Sequence, residues 1–214
     1  MNFDYKKICL LVSFLLFAGF LVLLYGVLVN ATWLAELDYF GNEIFRLDVS
    51  QELTSTIFNF TQIGSINYLI FVALFIGAVL LYHKKWFSFF WFGFSMGIIG
   101  MTVPLVLKNT IQRPRPTDGL MIRVGYSFPS GHAMGAIALY GLVIILAAIY
   151  IRKAWLRYTM MISSFAIILI ISWSRIHIGV HFLSDIMGSI LLGLSLLIVS
   201  LVVLSHFREK NELN

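Results

Sequence analysis

The 214-residue chain has a single cysteine, four prolines and few charges. Lone Cys9 excludes an intramolecular disulfide or a multi-cysteine metal site; it opens an apolar run and reads as a small apolar side chain. Lys, Arg, Asp and Glu together make up 12% of the chain, against about 25% in an average soluble domain. Hydrophobic residues make up 60% and mean hydropathy is +0.92. A compact soluble globule of this size has nowhere to hide so much apolar surface, because over half of an ordinary folded surface is already apolar. The same composition excludes a disordered chain and a small disulfide scaffold. No polar stretch is long enough for a second soluble domain. What remains is a protein that crosses the membrane several times.

Six apolar runs approach or exceed the roughly 20 residues of a helical crossing. They predict spans at about 8–29, 63–82, 86–107, 130–151, 158–174 and 185–204. The first run is longer than the roughly 7–15 apolar residues of a signal peptide, so it reads as a retained helix. The expected fold class is all-α integral membrane, one membrane-embedded domain over 1–214 with six transmembrane helices. Between spans one and two, residues 30–62 hold Glu36, Asp38, Glu43, Asp48 and Glu52 against Arg46 alone. The spacing of apolar residues there predicts short amphipathic helices lying on the membrane, and it assigns the acidic residues no role.

The net charge is +5 and the pI about 9.4. The cations sit in small clusters at the ends of apolar runs rather than in a basic stripe, which makes them orientation signals and argues against nucleic acid as a partner. Lys6, Lys7, Lys84, Lys85, Arg152, Lys153, Arg157, Arg208 and Lys210 fall on one side. Arg46, Lys108, Arg113, Arg115, Arg123 and Arg175 fall on the other. The larger set marks the cytoplasmic face, which puts both termini in the cytoplasm and the proline-rich loop 109–128 outside.

Three segments bring ionisable residues to that same outer end. Ser130-Gly131-His132 opens a helix, where unpaired backbone N–H groups and the helix dipole attract an anion. Gly131 allows close approach, and the Ser130 hydroxyl supplies a donor or a cap. Lys108, Arg115 and Arg175 can neutralise a phosphate and the charge that develops as it transfers. His181 and Asp185, four apart, share one face of a helix beginning there. A carboxylate on one imidazole nitrogen fixes the tautomer and leaves the other nitrogen to attack. His132 supplies a second imidazole, able to protonate a leaving alkoxide. The set amounts to a phosphoryl-transfer site with no metal-ligand group and no cofactor.

The order K-x6-R-P, P-S-G-H, S-R-x5-H-x3-D, spanning 108–185, resembles the signature of the type 2 phosphatidic acid phosphatase (PAP2) superfamily. The six-span layout is similar to that of its bacterial membrane members. The resemblance implies a PAP2-type bundle and, residue by residue, a phosphohistidine formed on His181, oriented by Asp185, with His132 as general acid. It implies that Lys108, Arg115, Ser130, Gly131 and Arg175 bind the phosphoryl group. Arg113-Pro114 precedes Arg115-Pro116; the six-residue gap selects Arg115 and leaves Arg113 a candidate for a second phosphate. The implied activity is hydrolysis of a lipid phosphate or diphosphate that enters sideways from the bilayer. Undecaprenyl diphosphate comes first because an outward-facing site suits recycling of a carrier lipid, with phosphatidylglycerophosphate and phosphatidic acid as alternatives.

Plainer readings compete at single positions. Lys108 alone would be a snorkelling residue at a span end, Ser130 a simple N-cap, and Arg175 with Asp185 a structural ion pair. His177, His83 and His206 read as structural, Asp118, Gly119 and Arg123 as connector, and Pro104 as a bend. A lipid-phosphate transporter would also place charges in a bundle, but it leaves the Ser-Gly-His helix start and the His-x3-Asp pair unexplained.

Overall fold

A computed structural model describes residues 3–46, 51–117, 119 and 124–212, with backbone alone at Phe3, Gln51 and 208–212. Leu47, Asp48, Asp118 and Arg123 lie outside the described residues, and the side chains of Arg208 and Lys210 do too. Within them the chain is helical, with no strand. The helices are α1 (Phe3–Leu28), α2 (Thr32–Phe45), α3 (Gln51–Phe60), α4 (Ile66–Tyr82), α5 (Trp86–Ser95), α6 (Val103–Ile111), α7 (Gly131–Tyr150), α8 (Ala154–His177) and α9 (Leu183–Glu212). A 3-10 turn, Thr61–Gly64, joins α3 to α4, and a π-helical stretch, Met96–Thr102, joins α5 to α6.

Six segments are long and apolar enough to cross a bilayer, namely Asp4–Leu28, Glu52–Tyr82, Trp86–Ile111, Gly131–Tyr150, Ala154–His177 and Leu183–Phe207. Each coincides with an expected span. The largest differences are at the second, which starts at Glu52 rather than 63, and at α9, which runs on to Glu212 rather than 204; α8 starts four residues earlier and ends three later than the expected 158–174. Arg157 and Arg175 end the apolar run without ending the backbone hydrogen-bond ladder. The π-helical stretch lies immediately before Pro104, whose missing N–H leaves the Gly100 carbonyl without its usual partner.

Helix α7 is the central post. Its residues Ala133 to Leu142 are buried without a break, against α8, α9, α4 and the π-helical stretch. The small residues Gly135, Ala136, Ala138, Gly141 and Ala147 let neighbouring backbones come close, which is how helices associate where lipid removes the usual hydrophobic drive. α1 lies along α9, tied by Ser13 Oγ on the Ser195 carbonyl at 3.0 Å. α5 is tied to α9 by Trp91 Nε1 donating to the Ser200 carbonyl at 2.9 Å, and to α7 by Ser88 with Tyr150 at 2.7 Å.

The acidic segment between spans one and two forms short helices, as expected. α2 packs on the ends of α8 and α9 and buries Leu34, Asp38 and Gly41 along one stripe. A Cβ added at Gly41 would stand 2.5 Å from the Leu183 Cβ, so only glycine permits this approach. Gly41→Val is therefore expected to unseat α2 from α9. The cost should be about 1–3 kcal/mol of overpacking, read as a lower thermal unfolding midpoint in detergent, and an unchanged midpoint would contradict this packing account.

Candidate active site

The C-terminal ends of α6 and α8, the N-terminal ends of α7 and α9, and the loop after α6 all lie at one end of the bundle. α7 begins there with Ser130 as N-cap, its hydroxyl accepting from the Ala133 N–H at 3.4 Å. Ser130 is fully buried, and its own N–H donates to Ser189 Oγ at 2.8 Å, so α9 fixes the start of α7. Ser189 in turn donates to the Asp185 carbonyl at 2.7 Å. Among the described residues a Cβ at Gly131 would meet only the Lys108 Cε, at 3.8 Å, so that lysine borders the first turn of α7. Lys108 donates to the carbonyls of Tyr126 at 2.6 Å and Ser127 at 3.2 Å, which holds its ammonium beside the entry to α7. His132 follows on the first turn of α7, half-buried.

The turn from α8 to α9 carries His181. Gly179 takes a φ of +71°, a left-handed conformation natural to glycine. The N–H groups of Val180 and His181 both donate to the Arg175 carbonyl, at 3.2 and 3.3 Å, which anchors the loop on the last turn of α8. Arg175 itself is buried, with Nη2 donating to Thr61 Oγ1 at 3.3 Å, so the turn before α4 is linked to the same frame.

His181 is bonded on both ring nitrogens. Arg115 Nη1 lies 3.3 Å from Nε2, and Asp185 Oδ2 lies 3.2 Å from Nδ1. A guanidinium can only donate, so Nε2 is the acceptor and the ring proton sits on Nδ1, directed at Asp185. The tautomer is thus set from both sides, with the lone pair of Nε2 turned towards a cation. Burial pulls the His181 imidazole well below the usual histidine range, to about 4. The Asp185 hydrogen bond and charge oppose that shift, while the charges of Lys108 and Arg115 add to it. The ring is therefore neutral at ordinary pH.

Asp185 is held by three donors. Oδ2 accepts from His181 and from the Phe182 N–H at 3.0 Å, and Oδ1 accepts from Arg113 Nη1 at 2.6 Å, while Ser127, 3.5 Å from Oδ1, donates its hydroxyl to the Pro114 carbonyl at 2.9 Å. Arg113, considered above for a second phosphate, spans two carboxylates: its Nη2 donates to Asp38 Oδ2 at 2.6 Å. It also bonds Ser184 Oγ at 2.7 Å, and its guanidinium lies 4.3 Å from the centre of the Phe182 ring. Asp38 closes the set by accepting the Ser184 N–H at 2.8 Å, in the first turn of α9. His177 bonds the Phe45 carbonyl through Nδ1 at 3.0 Å, tying α8 to α2.

The fold thus gathers His181, Asp185, Arg115, Lys108, Ser130 and Gly131 at one end, with His132 on the adjoining turn and Arg175 beneath the loop. Sequence reasoning gave no such place to Asp38, Ser127, Ser184 or Ser189, and offered Arg113 only as a candidate for a second phosphate. Among the described residues no three His, Cys, Asp or Glu side chains group as a metal-ligand set. A buried neutral imidazole, hydrogen-bonded to a carboxylate and surrounded by cations at a helix N-terminus, suits nucleophilic attack on a phosphorus centre.

Residues 88–209 match the model of the PAP2 superfamily. The chain belongs to that superfamily. It is 29% identical over 186 residues to phosphatidylglycerophosphatase B of Bacillus subtilis (strain 168), covering 85% of this chain and 89% of the relative. A crystal structure of a transmembrane PAP2-type phosphatidylglycerolphosphate phosphatase from Bacillus subtilis superposes with TM-score 0.79 and 26% identity, over 92% of this chain and 96% of that one. Aquifex aeolicus LpxE shares the fold at TM-score 0.57 and 21% identity, over 75% of this chain and 92% of its own. This PAP2 protein is a multi-pass membrane phosphatase, and its motif residues coincide with the polar end of its bundle.

Proposed function

We propose that the protein is a lipid phosphatase that works through a phosphohistidine on His181, at the extracytoplasmic face. The observation that carries this is the pair of bonds on His181, Asp185 at Nδ1 and Arg115 at Nε2, which hold a neutral nucleophile among cations. Nε2 forms a bond to phosphorus as the bond from phosphorus to the lipid oxygen breaks. The proton for that oxygen comes from His132, and the Nδ1–H···Asp185 bond stabilises the positive charge arising on the phosphorylated ring. Water, giving its proton back to His132, then attacks phosphorus, breaks the N–P bond and releases phosphate. Lys108, Arg115, Arg175 and the first turn of α7 with Ser130 and Gly131 bind the phosphoryl oxygens.

The names of the Bacillus subtilis relative and of the matched crystal structure favour phosphatidylglycerophosphate as substrate and move it ahead of undecaprenyl diphosphate. The latter is the second reading, supported by the cation count, which favours an outward orientation for this end of the bundle. The test is phosphate release by purified protein in detergent, with phosphatidylglycerophosphate, undecaprenyl diphosphate and phosphatidic acid compared at equal surface concentration. Detergent leaves no second compartment, so release also separates hydrolysis from transport. Failure to release phosphate from any of the three would overturn the proposal. Activity is expected to persist with a chelator, because the cations at the site neutralise the charge of the transferring group. Vanadate is expected to inhibit by mimicking five-coordinate phosphorus, and a strict requirement for a divalent ion would contradict this mechanism.

A further inference from the structure

We infer that Asp38, on α2, is a positioning residue for His181, acting through Arg113 and Asp185. The inference rests on the phosphatase reading above and adds the acidic segment between spans one and two to its machinery. The chain of contacts is continuous: Asp38 Oδ2 to Arg113 Nη2 at 2.6 Å, Arg113 Nη1 to Asp185 Oδ1 at 2.6 Å, and Asp185 Oδ2 to His181 Nδ1 at 3.2 Å. Every member is at most 13% exposed at its side chain, so solvent screens these charges little.

Arg113 sets how much of Asp185's charge reaches the imidazole, and Asp38 sets how much of Arg113 is available to Asp185. With both carboxylates in place the guanidinium is shared, and Asp185 keeps negative charge for the Nδ1–H of His181. Without the Asp38 charge, Arg113 is drawn wholly onto Asp185 and weakens its hold on the ring. Asp38 has a second grip on the same place, since its Oδ1 accepts the N–H of Ser184, the residue before Asp185. α2 is seated for this by the close approach of Gly41 to Leu183.

The variant Asp38→Asn removes the charge while keeping the shape and an acceptor for the Ser184 N–H. It is expected to lower kcat about ten- to a hundredfold with KM unchanged, since no phosphoryl ligand is touched. Arg113→Gln removes the opposite charge and should also lower kcat. The double variant restores the net charge of the cluster, so its kcat should exceed that of Asp38→Asn, a non-additivity that independent structural damage does not give. A second measurement needs no turnover. The Nδ1 proton of His181, assigned in 15N-histidine-labelled protein by its loss in His181→Ala, should move in Asp38→Asn and return towards its wild-type position in the double variant.

Unchanged kcat in Asp38→Asn, additive losses in the double variant, or a fall explained entirely by a smaller folded fraction would each overturn the inference. Wild-type protein inactive on all phosphate lipids would instead refute the phosphatase reading. The proton resonance would then still decide whether Asp38 acts on His181.

Discussion

His181→Ala is expected to lose at least about a thousandfold in turnover while the protein stays folded. The size of the loss follows from the covalent step: without Nε2 no N–P bond forms, and an alanine leaves only bound cations to polarise the phosphate. The fold should survive because Asp185 keeps two of its three donors, Arg113 and the Phe182 N–H. The loop stays anchored by backbone bonds on the Arg175 carbonyl, which alanine retains. The check is initial phosphate release beside a thermal unfolding curve, with acid-labile, base-stable 32P labelling of the protein from labelled lipid. Wild type should label and His181→Ala should not. Labelled protein in the variant, or retained turnover, would move the nucleophile elsewhere. The lowered imidazole pKa of about 4 sets the pH behaviour. A histidine shifted down keeps its lone pair as pH falls from 7 to 5, so any loss of rate in that window comes from groups other than His181.

Much of this site was legible in the sequence because its constraints are local or imposed by the bilayer. A helix that crosses lipid needs an uninterrupted apolar run, so all six spans declared themselves, and their ends put Lys108, Ser130, Arg175 and His181 at one level. The spacing of His181 and Asp185 predicts one shared face of a helix; the helix begins only at Leu183, so His181 stands in the turn before it and the 3.2 Å bond reaches from that turn to the first turn of α9. What escaped was pairing over long sequence distances. Asp38 meets Ser184, 146 residues away, and Arg113 meets Asp185 across 72; neither separation leaves a local pattern. A signal was nonetheless present. Leu34, Asp38 and Gly41 fall at i, i+4 and i+7, so helical periodicity places a carboxylate in the apolar stripe of α2, and a charge in such a stripe demands a buried partner. Reading residues 30–62 as amphipathic helices without asking which face Asp38 shares concealed it. The motif spacing that selects Arg115 left Arg113 as a candidate for a second phosphate and gave no sign that its side chain bonds Asp185.

The second large effect concerns His132, and its diagnostic feature is dependence on the leaving group. A lipid alkoxide is a strong base and cannot depart at neutral pH without a proton, so His132→Ala should slow phosphoryl transfer from the lipid by about a hundred- to ten-thousandfold. An activated aryl phosphate releases a phenolate that needs no proton, so the same step should be nearly spared. Steady-state rates alone would blur this contrast, because His132 is also assigned the proton from the water that hydrolyses the phosphohistidine, a step common to both substrates. A single-turnover measurement separates the two. With aryl phosphate, His132→Ala should form labelled enzyme and aryl alcohol at close to the wild-type rate and then stall, whereas with lipid the label itself should appear slowly. The position of His132 favours this division of labour: it lies half-buried on the first turn of α7, one residue after Gly131, while His181 sits fully enclosed between Asp185 and Arg115. Equal slowing of label formation by both substrates would mean that His132 holds the phosphoryl group in place rather than delivering a proton.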